Sequence, residues 1–331
     1  MLYPKALPAH ATVGITAPSC AVSERNRAGF EKSLETLKQN GITPILTENV
    51  FGRGGRIASS PATERAAQLH ALLEDGRIDA IFAACGGDML LEMLDEIDYE
   101  KVRANPKWIM GYSDVTGLIL PITLKCDIAT VYGPNAGGFD QTDLHPMLQS
   151  VFPLLRGRPQ VQVSSKMHER QRIEGSDGYH LDTPTVWDAP RGDFTASGRM
   201  LSACIDCAAH LVGTPFAPVG AFIKKYESDG VIWNFDNFAL SAEDLYYTLW
   251  NLKHAGWFEN TRAVMISRTM FARSDYGLAY RDAALEALGD IPLVLDADTG
   301  HVKPQMPLVN GAMTRLTVKD GGGKVEQSFL K

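Results

Sequence analysis

The residue best placed to do chemistry is a serine at the junction of a strand and a helix. Lys107-Trp-Ile-Met-Gly-Tyr-Ser-Asp-Val-Thr-Gly117 runs from an apolar strand into Gly111, sets Ser113 at a tight turn and continues as a helix. Such a turn lifts a hydroxyl out of the backbone at the C-terminal edge of a sheet. The helix behind it offers a positive dipole end and free N–H groups to a developing oxyanion. The hydrolase elbow G-x-S-x-G is not met, because Val115 holds its last position. The same spacing also fits a plain helix cap by Ser113 or Asp114. A second turn, Ala84-Cys85-Gly86-Gly87-Asp88, closes the preceding strand. Adjacent parallel strands bring their C-terminal loops together, so this loop is expected beside Ser113, with glycines that let backbone N–H groups approach a ligand. Neither a dinucleotide-binding nor a P-loop glycine pattern is present.

A serine nucleophile needs a base. Of the eight histidines, His301 has the most suggestive setting, after the strand IPLVL and the polar turn DADTG, with Gly300 giving backbone freedom. His210 reads as a packed helix residue and His254 as a helix end before Gly256. The five cysteines are scattered and odd in number, which argues against a disulfide framework. Cys204-Ile-Asp-Cys207 matches C-x-x-C, but no second ligand pair accompanies it, so neither a metal nor another cofactor is expected. The segment around it, SACIDCAAHLVG, reads as a buried helix.

These loops need a scaffold, and the first third of the chain supplies an alternating one. Strands are expected at ATVGITA (11–17), 42–46, IDAIFAAC and KWIMG, with helices at 24–39, from Pro61 through PATERAAQLHALLED, at DMLLEMLDEI and from about Asp114. A polar Gly-rich stretch, Phe51 to Ser60, precedes the second helix. Strands and helices alternating at this spacing imply a mostly parallel sheet covered on both faces. The pattern weakens after about residue 140. It resumes with a helix near 199–212, a strand at VIWNFDN, a helix at SAEDLYYTLWNLKHAG, and strands near 263–267, 291–295 and 313–318. The expected organisation is an N-terminal nucleophile domain over 1–155, a connecting segment over 156–185 and a second α/β domain over 186–331, with a cleft between the two domains.

Composition narrows the partners. The 331 residues suffice for about two domains at roughly 150 residues each. Lys and Arg number 32 against 39 Asp and Glu, a formal charge of −7, which argues against nucleic acid or an anionic membrane as partner. No apolar run approaches the roughly 18 residues of a bilayer span, and the start lacks a secretory h-region, so a cytoplasmic protein is expected.

Taken in order, these segments resemble the LD-carboxypeptidase family of serine peptidases, which includes the microcin C immunity-type peptidases. Gly14-Ile-Thr-Ala-Pro-Ser19 is similar to the family's first strand, Asp79 to Gly87 to its glycine loop, and Ala104 to Thr116 to its nucleophile segment. Tyr132-Gly-Pro134, Leu211 to Pro218 and Gly300-His-Val-Lys-Pro-Gln305 match later landmarks. The resemblance implies a metal-free cytoplasmic peptidase, a homodimer, with a Ser–His–Glu triad. Its nucleophile would be Ser113, its base His301, and its oxyanion donors the N–H groups of Gly87 and Asp114. The implied reaction removes the terminal D-alanine of a murein tetrapeptide.

Two departures stand out. The family's acid follows a strand of the form I-L-F-L-E-D, and the matching Ile232-Trp-Asn-Phe-Asp236-Asn carries Asp236, one methylene shorter. The period of a strand keeps Ile232, Asn234 and Asp236 on one face, so direction is preserved while reach is lost. Should Asp236 lie too far from the imidazole, Glu243 and Asp298 are the next carboxylates. The second departure flanks the glycines: Cys85 and Asp88 replace the family's Arg and aromatic residue, so Gly86 and Asp88 are expected to shape a substrate pocket of altered preference. Alternative readings are an immunity-type amidase of aminoacyl nucleotide conjugates, for which Trp233 and Trp257 would offer stacking surfaces although packing is the more expected role of both, and a binding homologue of weak catalysis.

Overall fold

The structure, a computed structural model, describes residues 1–52, 57–158, 161–171, 173 and 176–329. Parts of the Phe51–Ser60 stretch and of the 156–185 connection lie outside the described residues. Five strands of the first sheet come from the alternating third of the chain: β1 (Ala11–Thr16), β2 (Ile42–Leu46), β3 (Ala80–Ala83), β4 (Trp108–Gly111) and β5 (Thr130–Tyr132). They run parallel in the order β2-β1-β3-β4-β5. Every residue of β3, β4 and β5 is buried, as expected for strands covered on both faces. In this order the direction in which successive strands are added reverses between β1 and β3, and ligands of open α/β sheets bind at the strand ends around such a point. The loops after β1, β3 and β4 all emerge there.

Helix α1 (Arg27–Gln39) and helix α2 (Ala62–Glu74) match the expected amphipathic segments. DMLLEMLDEI forms only a 3-10 turn over Leu90–Glu96, and a short helix α3 (Tyr99–Ala104) follows, capped by the Asp98 side chain. After Ser113 the chain makes one 3-10 turn and enters α4 (Thr116–Cys126), of which every residue but Lys125 is buried. An all-round apolar helix must be covered on all sides. Here α4 packs under its own sheet and against the second one, where the Cys204 N–H donates to Thr116 Oγ1 at 2.8 Å.

The second sheet uses β6 (Val161–Val163), β9 (Phe194–Cys204), β10 (Val231–Asp236), β11 (Thr261–Ser267), β12 (Leu293–Ala297), β14 (Met313–Lys319) and β15 (Gly322–Ser328), in the order β12-β11-β10-β9-β14-β15-β6. β7 (Met167–Glu169) and β8 (Leu181–Pro184) form a separate ribbon. β9 to β12 are parallel, and the remaining pairs of this sheet are antiparallel. The expected helix over 199–212 is a strand through Cys204, followed by a one-turn helix, Ile205–Ala208. After Arg199, MLSAC is a run of small and apolar residues whose periodicity cannot separate a buried strand from a buried helix. Its place between β10 and β14 settles the choice.

The last strand of the first sheet, β13 (Leu308–Asn310), comes from the far end of the chain and pairs antiparallel with β5. Its Asn310 Oδ1 accepts the Ser202 N–H of β9 at 2.6 Å, and its Nδ2 donates to Ser202 O at 3.3 Å. A single apolar cluster includes Leu118 and Ile122 of α4 together with Leu201, Trp233 and Val264 of the second sheet. The two sheets are therefore knitted through α4 and β13, and residues from both can be held in fixed register at their junction. No helix among the described residues is long and apolar enough to cross a membrane.

Candidate active site

Ser113 leaves β4 with φ of 65°, the left-handed region that a non-glycine residue rarely occupies. The strain turns its side chain away from the path of strand and helix, as the sharp turn in the sequence implied. Close packing holds the turn. A Cβ at Gly111 would come within 2.6 Å of Val115 Cγ1, and one at Gly86 within 3.0 Å of the Ser113 Cβ. The glycine loop after β3 thus lies directly against the serine, where the adjacency of parallel strands put it.

His301 reaches the same point from the loop after β12. Its Nε2 is 3.0 Å from Ser113 Oγ, and its Nδ1 is 2.8 Å from Asp236 Oδ2 at the end of β10. The Nδ1–H does not point along the line to Oδ2, so this contact is short but bent. A carboxylate facing Nδ1 favours the tautomer with its proton there, leaving the Nε2 lone pair toward the hydroxyl. Ser113 and His301 are half-buried while Asp236 is fully enclosed. The three residues lie on loops and strand ends of two different sheets, 188 positions apart in sequence for the serine and histidine.

Asp236 is held by more than the imidazole. Oδ2 accepts from Tyr132 Oη at 2.6 Å, and Oδ1 accepts from Ser267 Oγ at 3.1 Å and from the His301 backbone N–H at 3.2 Å. Burial pushes its pKa upward, but the His301 charge, the hydrogen bonds from His301 and Tyr132 and the Lys303 charge outweigh it, so the carboxyl titrates below its ordinary range. Burial and the Asp236 charge move the Tyr132 phenol the other way, well above its ordinary value, which keeps it a neutral donor. Tyr132 also lies beneath the nucleophile, with the Ser113 N–H 3.5 Å from its oxygen. Gly300 is required for this closure: a Cβ there would come within 2.2 Å of Asp236 Oδ1 and 2.3 Å of Ser267 Oγ. The shorter acid is thus accommodated by a tight approach of the His301 loop.

Gly87 adopts φ of 142°, open only to glycine, and a Cβ there would strike Cys20 Sγ at 2.2 Å. Asp114 does not reach toward the serine. Its buried carboxylate accepts from Ser19 Oγ at 2.5 Å and from the Leu90 N–H at 3.1 Å, tying together the loops after β1, β3 and β4. Its N–H remains at the helix start. Asp88 is exposed at the rim beside Met89. On the other side the His301 ring is flanked by Tyr112 at 5.0 Å and by the partly exposed Phe238 at 4.5 Å, which meets Phe271 edge-on at 5.3 Å.

Several expected candidates are engaged elsewhere. Glu243 is half-buried away from the serine and accepts from Ser274 Oγ and from the Tyr276 N–H, while Asp298 pairs with Arg268 and accepts from Trp187 Nε1. Trp233 and Trp257 are buried and stacked on each other at 5.3 Å, so they offer no stacking surface to a ligand. Cys204 is sealed in the core, its thiol pushed up by its hydrogen bond with Cys207 and by burial. No group of three or more His, Cys, Asp or Glu side chains among the described residues could hold a metal ion. The residues that sequence reasoning missed are Ser267, Lys303 and the role of Tyr132. Only Tyr132 left a trace, as the aromatic residue ending the strand beside the nucleophile strand.

A hydroxyl against an imidazole, with a carboxylate behind it, is an arrangement fitted to acyl transfer. The comparisons agree in kind. A family model described as the LD-carboxypeptidase N-terminal domain matches residues 13–133, and one described as the LD-carboxypeptidase C-terminal domain matches residues 197–316. A Vibrio cholerae protein with a provisional carboxypeptidase name is 25% identical over 342 residues, covering 100% of this chain and 99% of its own. Among solved structures, microcin C7 self-immunity protein MccF in complex with aspartyl sulfamoyl adenosine superimposes with a TM-score of 0.84 at 19% identity, covering 100% of both chains. The muramoyltetrapeptide carboxypeptidase of Oxalobacter formigenes gives 0.77 at 19% identity, covering 96% of this chain and 99% of its own. With the models of the family's N-terminal and C-terminal domains both matched, the chain belongs to the LD-carboxypeptidase family.

Proposed function

We propose that the protein is a serine carboxypeptidase that hydrolyses the terminal L-to-D peptide bond of murein-type peptides. The observation that carries this reading is the contact series from Ser113 Oγ to His301 Nε2, 3.0 Å, and from His301 Nδ1 to Asp236 Oδ2, 2.8 Å. In this reading His301 takes the hydroxyl proton as Ser113 Oγ adds to the scissile carbonyl carbon. The oxyanion so formed is met by the N–H groups of Gly87 and Asp114. His301 then passes its proton to the leaving amine, the C–N bond breaks and the terminal amino acid departs. Water, deprotonated by the same imidazole, releases the remaining peptide from the acyl-enzyme. Asp236 keeps the ring in its tautomer and stabilises the imidazolium.

Purified protein incubated with a murein tetrapeptide should release free D-alanine, and Ser113→Ala should abolish that release. Undiminished release by the variant would rule out the nucleophile.

The aromatic pair Phe238 and Phe271 supports a second reading, an amidase of aminoacyl nucleotide conjugates, because it offers a partly exposed face beside the imidazole. Parallel turnover of aspartyl sulfamoyl adenosine and of the tetrapeptide separates the two: the better substrate by kcat/KM identifies the class.

A further inference from the structure

We infer that Lys303 is the anchor for the substrate's terminal carboxylate. The inference rests on the carboxypeptidase reading and names the group by which that site would recognise a chain end.

The observation is a nearly buried cation with no ion-pair partner among the described residues. Lys303 is only 9% exposed, and its Nζ donates to Gln305 Oε1 at 3.2 Å and approaches Tyr112 Oη at 3.5 Å, both neutral oxygens. Among the described residues no carboxylate lies within ion-pair distance of it. The other nearly buried cations are already committed, Arg65 to Glu92 and Arg268 to Asp298. A nearly buried ammonium held only by neutral oxygens is costly unless an anion completes its shell. Gln305 Nε2, also enclosed, is a second donor without a partner.

Its position fits the leaving group. His301 must deliver a proton to the departing amine, and the terminal carboxylate is one carbon beyond that amine. An anion-binding group is therefore needed on the imidazole side of the nucleophile, away from the glycine loop. Lys303 follows His301 by two residues, and both side chains pack on the Tyr112 ring, the ammonium 4.5 Å and the imidazole 5.0 Å from its centre. A carboxylate drawn to Nζ beside this ring would bring its own amine toward His301 Nε2. Amidation of the chain end removes the charge that Lys303 recognises while leaving the scissile bond intact.

The test compares kcat/KM for a tetrapeptide ending in D-alanine with that for the same peptide ending in D-alaninamide, in wild type, Lys303→Met and Lys303→Gln. Wild type should prefer the acid by at least about tenfold, as expected for a hydrogen bond to a charged group. Both variants should bring the ratio near one, mainly by raising KM for the acid, with melting curves showing that they fold. A ratio retained by either folded variant overturns the inference, since a lysine that merely packs would not read the chain end. Equal cleavage of acid and amide by wild type also overturns it, and needs no variant, while leaving the Ser113 hydrolase in place. Cleavage of neither peptide by wild type would instead remove the carboxypeptidase reading and the inference with it.

Discussion

Replacing Asp236 by Glu puts the closeness of the site to a direct test, because the longer acid is the one the family pattern leads one to expect. The carboxylate already lies 2.8 Å from His301 Nδ1, and its oxygens accept from Tyr132, Ser267 and the His301 N–H. Gly300 closes over Oδ1 so tightly that a Cβ there would come within 2.2 Å of it. An added methylene lengthens the side chain by about 1.5 Å, one C–C bond, with no free space to take it up. The imidazole must then swing away from Ser113, or the acid must fold sideways and lose Tyr132 and Ser267. A misplacement of about 1 Å costs roughly 10²-fold in rate, equivalent to about 2.7 kcal/mol of barrier at 1.36 kcal/mol per tenfold. Overpacking should lower stability by about 1–3 kcal/mol as well. The assay is kcat/KM for D-alanine release by Asp236→Glu, with chemical denaturation in parallel. Activity equal to or above wild type would refute the reasoning, since it would mean that the bent Nδ1–Oδ2 contact reflects a carboxylate held short of its best position.

Gly300→Ala should lower kcat by at least about 10²-fold with KM little changed, because the added Cβ displaces the Asp236 carboxylate rather than any substrate contact; a normal kcat would place the loop differently. Arg268→Met leaves the Asp298 carboxylate buried without its ion pair, so urea unfolding should show a loss of about 3–5 kcal/mol, whereas a change under about 1 kcal/mol would show that its other donors, Trp187 Nε1 and the Ser165 N–H at 2.9 Å, satisfy it unaided. Asp236 has a depressed native pKa, so its contribution to stability is fully present above the unfolded carboxylate value of about 3.9 and is lost as pH falls through the native value. The denaturation midpoints of wild type and Asp236→Asn should therefore differ at neutral pH and converge in acid; a gap that widens on acidification would reverse the sign of the argument.

Much of the scaffold was legible in the sequence because parallel sheets write a strong local signal. Buried strands such as AIFA and WIMG are continuous apolar runs, and α1 and α2 carry helical spacing. Ser113, Gly86 and His301 could be picked out because each follows such a strand. The segment through Cys204 misled, since small and apolar residues fit a buried helix as well as the central strand they form. Trp233 and Trp257 were ambiguous for a related reason: an aromatic side chain has the same composition in a core as in a ligand site.

The sequence by itself determined which residue types stand at strand ends, because strand and helix periods are local properties of a dozen residues. It could not determine whether Asp236 reaches His301. That distance depends on β13 returning to the first sheet, on α4 packed between both sheets and on the close approach of Gly300, all contacts between residues far apart along the chain. Nor could it single out Lys303, whose meaning comes from having no carboxylate within ion-pair distance among the described residues. Charge pairing and reach are set by packing, and only the tertiary structure decided them.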